Sequence, residues 1–205
     1  MSLVGLYGAS GHAKVLVDIV EKTGGKVSQI VDDNPLITQL LEHSVCRVEK
    51  INTANEWIIA VGNNQVRKNL AEKIKVNYTT LIHPRATVSS HVSIGKGTVL
   101  MAHVVVNSSV RCGAHVILNT SCRIDHDCEL FDYVHISPGA TLCGNVIIGE
   151  GAHIGAGAVI VPGVKIGAWA TIGAGAVIIK DVPDFATVVG NPGKIIKIKS
   201  KPNIE

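Results

Sequence analysis

In the stretch RIDHDCEL, residues 123–130, an imidazole stands between two carboxylates: Asp125, His126 and Asp127. A carboxylate beside a histidine orients the ring and raises its basicity, which is what a general base needs. The same three side chains also suit a solvated corner, so the chemistry depends on where the chain puts them. His135 and His153 form a second candidate set, in equivalent outward slots eighteen residues apart; they read equally as an exposed stacked pair. Near the N-terminus, GASGH (8–12) follows a strand-like run and opens a helix-like one. Backbone N–H groups and a helix N-terminus at such a junction suit a phosphate. The spacing is not the GxGxxG of dinucleotide binders. Asp32 and Asp33 close the next strand-like run, where an Asp pair is commonly a turn.

The elements that must position these groups fall into two halves. Over residues 1–80, strand-like LVGLYGA (3–9), KVSQIVDD (26–33) and WIIAVG (57–62) alternate with helix-like GHAKVLVDIVEKTG (11–24) and NQVRKNLAEKIK (64–75). In the first of these helices Val15, Ile19 and Val20 share one face, and LITQLLEH is expected to be helical too. Such alternation predicts a small, doubly wound parallel sheet, a Rossmann-like α/β domain. Residues 81–205 follow a different rule. From Ile82 to Ile178 every sixth residue is aliphatic or Cys, without one insertion, and four residues after each comes a second small or aliphatic residue such as Val104, Cys122 or Ala158. A six-residue unit with two inward positions is a short strand plus a corner, and its repetition predicts a parallel β-helix. Three units close one coil, so residues eighteen apart stack. His126 and Asp127 then lie on a corner, and Asp125 faces outward.

Composition agrees. Of 205 residues 46% are apolar but only 3% aromatic, so the core must be built from aliphatic layers, and 21 glycines supply tight corners. A net charge of +3 gives no argument for nucleic acid. MSLVGLYGASGH lacks the basic and long apolar regions of a secretory signal, and the six-residue period with Gly and Pro across 154–179 argues against a membrane span; a cytoplasmic protein is expected. Cys46, Cys112, Cys122, Cys128 and Cys143 form no CxxC pair. Cys112, Cys122 and Cys128 occupy inward slots and are expected to act as small core residues.

Unbroken hexads ending in DVPDFATVVGNPGKIIK resemble the left-handed β-helix acyltransferases. Together with GASGHAK, IVDD and AVGNN, nearly the whole chain resembles the bacterial sialic acid O-acetyltransferase and nucleotide-4-amino-sugar N-acetyltransferase family. The resemblance, not the periodicity, implies a left-handed prism. It implies an acetyl-CoA-dependent enzyme, a homotrimer, that acetylates the amino group of a nucleotide-linked sugar by direct transfer. His126 is the implied general base, with Asp127 or Asp125 supporting it, and a backbone N–H of the following coils would stabilise the oxyanion. His135 would lie beside the thioester. Gly144, Ala156 and Ala174, along one face, would line the pantetheine path. Lys180, Lys194, Lys197, Lys199 and Lys201 gather near the C-terminus, where they suit a solvated tail as well as contact with the CoA phosphates, and Lys180 alone is taken as a candidate for CoA. Ser10, Gly11 and His12 would meet the diphosphate and sugar, with Gly62 of AVGNN beside them, and Asp32 and Asp33 the nucleotide base or ribose. Sugar O-acetylation of the sialic acid type remains open, as does a non-catalytic nucleotide-sugar sensor. A metal hydratase on the same prism would need three converging histidines; His91, His103 and His115 are evenly spaced, but steps of twelve put them on three different corners. No metal is expected.

Overall fold

The computed structural model describes residues 2–200, and Lys201 lies outside them. The first half runs β1 (Leu3–Tyr7), α1 (Gly11–Lys22), β2 (Lys26–Val31), β3 (Gln39–Leu40), β4 (His43–Cys46), β5 (Glu56–Ile59), α2 (Asn64–Lys73) and β6 (Asn77–Tyr78). The sheet order is β3-β4-β2-β1-β5-β6, parallel throughout except for β3 against β4. That is the expected doubly wound arrangement, in which α1 buries Ala13, Leu16, Val17, Ile19 and Val20. Val15 does not join that face and is 39% exposed; a 100° step per residue puts it just outside the buried arc. LITQLLEH is not a helix either. Its residues enter the β3–β4 hairpin, pairing Gln39 with Ser44 and Leu40 with His43. Only Leu40 of its three leucines is buried, while Leu36 is 87% exposed, so there is no helical stripe to bury. β4 gains its stability by pairing with β2 instead, Val45 opposite Ile30.

From Leu81 the chain winds a parallel β-helix of two-residue strands on three faces. The first face carries Val99–Leu100, Ile117–Leu118, His135–Ile136 and His153–Ile154 in register. The second carries Val105–Val106, Arg123–Ile124, Thr141–Leu142 and Val159–Ile160. The third carries Arg111–Cys112, Glu129–Leu130, Ile147–Ile148 and Lys165–Ile166. Partners are eighteen apart up to Ile178, as three hexads per coil require, and the last coil is two residues shorter, with Thr171 opposite Thr187 and Ile166 opposite Val182. The interior is the aliphatic stack expected, from Leu100 through Ile136, Ile154 and Ile172, with Cys112, Cys122 and Cys128 buried among it. Burial pushes those three thiols up, to about 12, 12 and 11, so they are inert small apolar groups. The corners turn through a left-handed residue: Ser109 (φ 65°), Asp127 (57°), Asn145 (59°), and Gly163 where no Cβ is present. Asp and Asn tolerate this region better than most residues.

The first half rests on the prism through α1, α2 and β6. His115 is buried, with Tyr78 edge-on to it (4.6 Å between ring centres) and Tyr133 stacked on it at 5.4 Å. Lys68 of α2 pairs with Glu150, beside the rings of Tyr133 and Trp169. His91 and His103 are exposed. The three evenly spaced histidines therefore sit on separate corners, as their spacing requires. Among the described residues no helix is long and apolar enough to cross a membrane.

Candidate active site

His126 and Asp127 occupy the corner between Arg123–Ile124 on the second face and Glu129–Leu130 on the third. Because Asp127 has a left-handed backbone, its carboxylate folds back onto its neighbour, and Oδ2 lies 2.7 Å from His126 Nδ1. Asp125 does not meet the ring. Its Oδ1 accepts from the His126 backbone N–H and from Asn107 Nδ2, both at 2.8 Å. One acid orients the imidazole, and the other fixes the backbone that bears it. A carboxylate accepts from Nδ1–H, which leaves the Nε2 lone pair free. Asp127 first, then Asp125, raise the His126 pKa above its ordinary value. Both ring and carboxylate remain about half exposed (55% and 52%).

Stacking by eighteen puts Gly144, then Pro162, then Lys180 in the His126 column; Asn145 N–H donates to the His126 carbonyl and Gly163 N–H to that of Gly144. A Cβ on Gly144 would lie 2.6 Å from His126 Cε1, so the ring fills the space that glycine leaves. No protein acceptor takes the Gly144 N–H among the described residues. Lys180, exposed, is three coils from His126, roughly 14 Å at the usual strand spacing. Ala156 and Ala174 are not on this corner. They stack eighteen apart on the corner between the first and second faces, where Gly175 N–H donates to the Ala156 carbonyl. The expectation of a single line through Gly144, Ala156 and Ala174 fails because the first step is twelve residues, two thirds of a coil.

The second cluster lies on the first face, against the first half of the chain. His135 and His153 stack with centres 4.9 Å apart and planes within 7°. They are not exposed: both line an open cleft of about 570 Å³ whose opposite wall includes Gly62, Asn63 and Asn64. The Asn119 amide donates to His135 Nε2 (3.2 Å), and Ser137 Oγ shares a hydrogen bond with His153 Nε2 (2.8 Å). The buried His135 Nδ1 and His12 Nε2 have no partner among the described residues. Burial pushes His12 down to about 4 and His135 to about 3, and lowers His153 as well. Asn119 and Ser137 carried no signal in the sequence as partners of these histidines, although both fill the same outward slot, one coil apart.

Ser10 precedes α1 without capping it through its side chain, and Gly11 has open space at the Cβ position. Asp32 and Asp33 face this turn. Asp32 Oδ2 accepts from Ala9 N–H at 2.7 Å and its Oδ1 from Asn34 N–H, while Asp33 Oδ2 accepts from Tyr7 Oη. Asp32 thus shapes the GASGH turn, and Asp33 Oδ1 has no partner among the described residues. Glu21, Glu42 and His43 could converge on a cation, but both acids are exposed and the group lies away from both clusters.

One chain therefore brings His126, Asp127, Gly144 and Lys180 together at one corner. It brings His12, His135, His153 and Gly62 together at one face. It does not bring the two groups to each other.

Comparison with known proteins accounts for both halves. Residues 4–74 match the family described as the PglD N-terminal domain, and residues 145–180 the bacterial transferase hexapeptide family (six repeats). UDP-N-acetylbacillosamine N-acetyltransferase of Bacillus subtilis is 39% identical over 113 residues, 50% of this chain and 52% of its own length; the chain matches about half of that relative. GDP-perosamine N-acetyltransferase of Escherichia coli O157:H7 is 31% identical over 165 residues, 74% of this chain and 75% of its own length. The structure of PerB from Caulobacter crescentus in complex with CoA and GDP-perosamine superposes with a TM-score of 0.88 at 34% identity, over 96% of this chain and 98% of that one. On this likeness the chain belongs to the hexapeptide-repeat, left-handed β-helix acyltransferases, in the family that includes these amino-sugar N-acetyltransferases.

Proposed function

We propose that the protein transfers acetyl from acetyl-CoA to the amino group of a UDP-, GDP- or dTDP-linked amino sugar, with His126 as general base. The observation that carries this reading is the Asp127–His126 pair at a solvent-facing corner, its Nε2 free and its ring beside the unpaired N–H of Gly144. The names of the relatives, and the CoA and GDP-perosamine bound to the Caulobacter enzyme, support the substrate classes.

A thioester is already activated, so no nucleophilic side chain has to attack first. His126 Nε2 takes a proton from the acceptor amine as its nitrogen adds to the thioester carbonyl carbon. The negative charge that forms on the carbonyl oxygen is placed to meet the Gly144 N–H. The C–S bond then breaks and the proton held on His126 goes to the departing thiolate, giving an amide and CoA. Lys180, exposed and further along the chain's prism, is assigned to a CoA phosphate. Ser10, Gly11, His12, Asp32, Asp33 and Gly62 supply the acceptor's phosphates, ribose and sugar with donors and acceptors, and His135, which lines the cleft with Gly62, is assigned to the acetyl-CoA thioester.

Because His126 and the cleft are on different sides of one prism, a working site needs the corner of one chain against the face of another. A homotrimer with three equivalent grooves meets that need. The test is release of free thiol from acetyl-CoA across a panel of nucleotide amino sugars. Turnover with at least one of them is expected, and binding without turnover across the whole panel would reduce the protein to a nucleotide-sugar sensor.

A further inference from the structure

Helix α2 docks on the prism through a buried cation. Arg67 is 1% exposed, and among the described residues no carboxylate pairs with it. All five of its N–H groups find oxygen instead. Nε donates to the His115 carbonyl (2.9 Å), and Nη1 to the carbonyls of Val61 (3.0 Å) and Gly62 (3.2 Å). Nη2 donates to the Tyr133 carbonyl (2.7 Å) and to Asn64 Oδ1 (2.9 Å). Asn64 Nδ2 extends the series to the carbonyls of Gly151 and Ala152. His115, Tyr133 and Gly151 are eighteen apart, the same left-handed corner residue on three successive coils (φ 55°, 61° and 64°). Two side chains of one helix therefore read three coils.

Docking alone does not call for this. An apolar side chain would bury α2 with a smaller desolvation cost than an unpaired guanidinium. What the planar fork adds is direction. One side of it grips the loop that enters α2, and the other grips the prism. That loop carries Gly62 and Asn63, one wall of the cleft whose other wall holds His135 and His153. Sliding the loop against the prism would leave buried donors without acceptors, a heavier loss than a weakened contact. The Arg67 charge also weighs on His12, His135 and His153, and in each it disfavours the protonated ring.

We infer that Arg67 is a positioning residue: by tying the Val61 and Gly62 carbonyls to those of His115 and Tyr133, it fixes the width of the cleft and so sets where the acceptor sugar lies. The inference rests on the proposed function for its meaning in turnover, but not for its effect on binding.

The test uses Arg67→Lys and Arg67→Gln in the full chain, with acetyl-CoA and with UDP- and GDP-linked 4-amino sugars as probes. Lys keeps the charge but cannot make the fork. Both variants are expected to raise KM for the nucleotide sugar by about ten-fold or more, Lys less than Gln, while KM for acetyl-CoA stays within about three-fold. Hydrogen exchange at residues 61–66 should speed up, and exchange in the prism strands should not. Equal rises in both KM values, an unchanged KM for the sugar, or loss of the prism itself would each overturn the inference. Calorimetry separates it from the proposed function: a wild type that binds a nucleotide sugar without acetyl transfer, and loses that affinity on Arg67→Lys, refutes the chemistry and keeps the positioning role. If neither probe binds the wild type, unchanged exchange at 61–66 in the variants refutes Arg67 as the tie, and faster exchange there upholds it.

Discussion

Gly144→Ala asks whether the His126 ring works in the place where the structure holds it. The added methyl would stand 2.6 Å from Cε1 and 2.8 Å from Nε2 of His126, against ordinary contact beginning near 3.4 Å. The ring must retreat by about 0.8 Å, and the atoms displaced are the basic nitrogen and its neighbour. Retreat is easy, since the side chain is 55% exposed, but it disturbs the 2.7 Å bond to Asp127. Gly144 is not among the glycines with positive φ, so alanine suits the backbone. The unfolded chain loses freedom as well, which favours the folded state by about 0.4–1 kcal/mol. Stability should therefore hold or rise slightly. A misplacement of about 1 Å at a reacting group costs on the order of 10²-fold in rate, equivalent to about 2.7 kcal/mol on the barrier. The variant keeps its N–H, so any loss reports the ring rather than the oxyanion donor. Thiol release under saturating substrates gives kcat, and a thermal melt gives Tm. A Gly144→Ala protein within about three-fold of wild-type kcat, with Tm unchanged, would refute the claim that His126 acts from this pose.

Other expectations follow from the same geometry. His126→Ala should lose about 10²–10⁴ in kcat while keeping its melt and both ligand affinities, because the side chain packs against nothing inside the prism. The wild-type rate should rise with pH through a group above the ordinary His value of about 6.5, since both acids raise His126. Asp127→Asn should move that inflection downward in a pH profile of kcat/KM, at a smaller rate cost than His126→Ala. His12 and His135 are held neutral at about 4 and about 3, below their unfolded value, so the unfolded chain binds more protons between those limits. Stability should therefore fall as pH drops from about 6.5 toward 4, by a few kcal/mol together, and denaturant midpoints across that range measure it; a flat profile would contradict their burial. Light scattering should give about three times the 21.6 kDa chain mass, and an active monomer would refute the two-chain site.

The prism was legible because inward slots answer to packing alone, and packing leaves a period. Ile136, Ile154 and Ile172 must be apolar at fixed intervals or the stack opens. Corners answer to no such rule, so Asp125, His126 and Asp127 could be recognised as departures from the pattern but not ranked. The choice between the two acids depends on a positive φ at Asp127, which no spacing records. LITQLLEH misled because a short run with several leucines fits either period, and its fate was decided by pairing with β2. Arg67 gave no signal at all. Its prism acceptors are backbone carbonyls 48 and 66 residues away, and a carbonyl acceptor leaves the identity of its own residue free.

Basicity explains why the site cannot be complete on one face. His135 and His153 line the cleft and His12 lies near them, yet all three are partly buried near the Arg67 charge, and each is a weaker base than free imidazole. A ring whose conjugate acid has a pKa near 3 or 4 can donate and accept hydrogen bonds, but it has little driving force to take a proton from an amine. His126 is the opposite case: exposed, backed by a carboxylate and raised in pKa. The features that suit the cleft to the proposed binding of an anionic acceptor, partial burial and fixed positive charge, are those that spoil it for proton abstraction. In a three-sided prism the corner between the second and third faces lies opposite the first, so His126 cannot serve the cleft of its own chain. Under the proposed function, only the edge of a neighbouring chain laid along that cleft would put a competent base beside the acceptor, and that requirement comes from electrostatics as much as from the geometry of the coils.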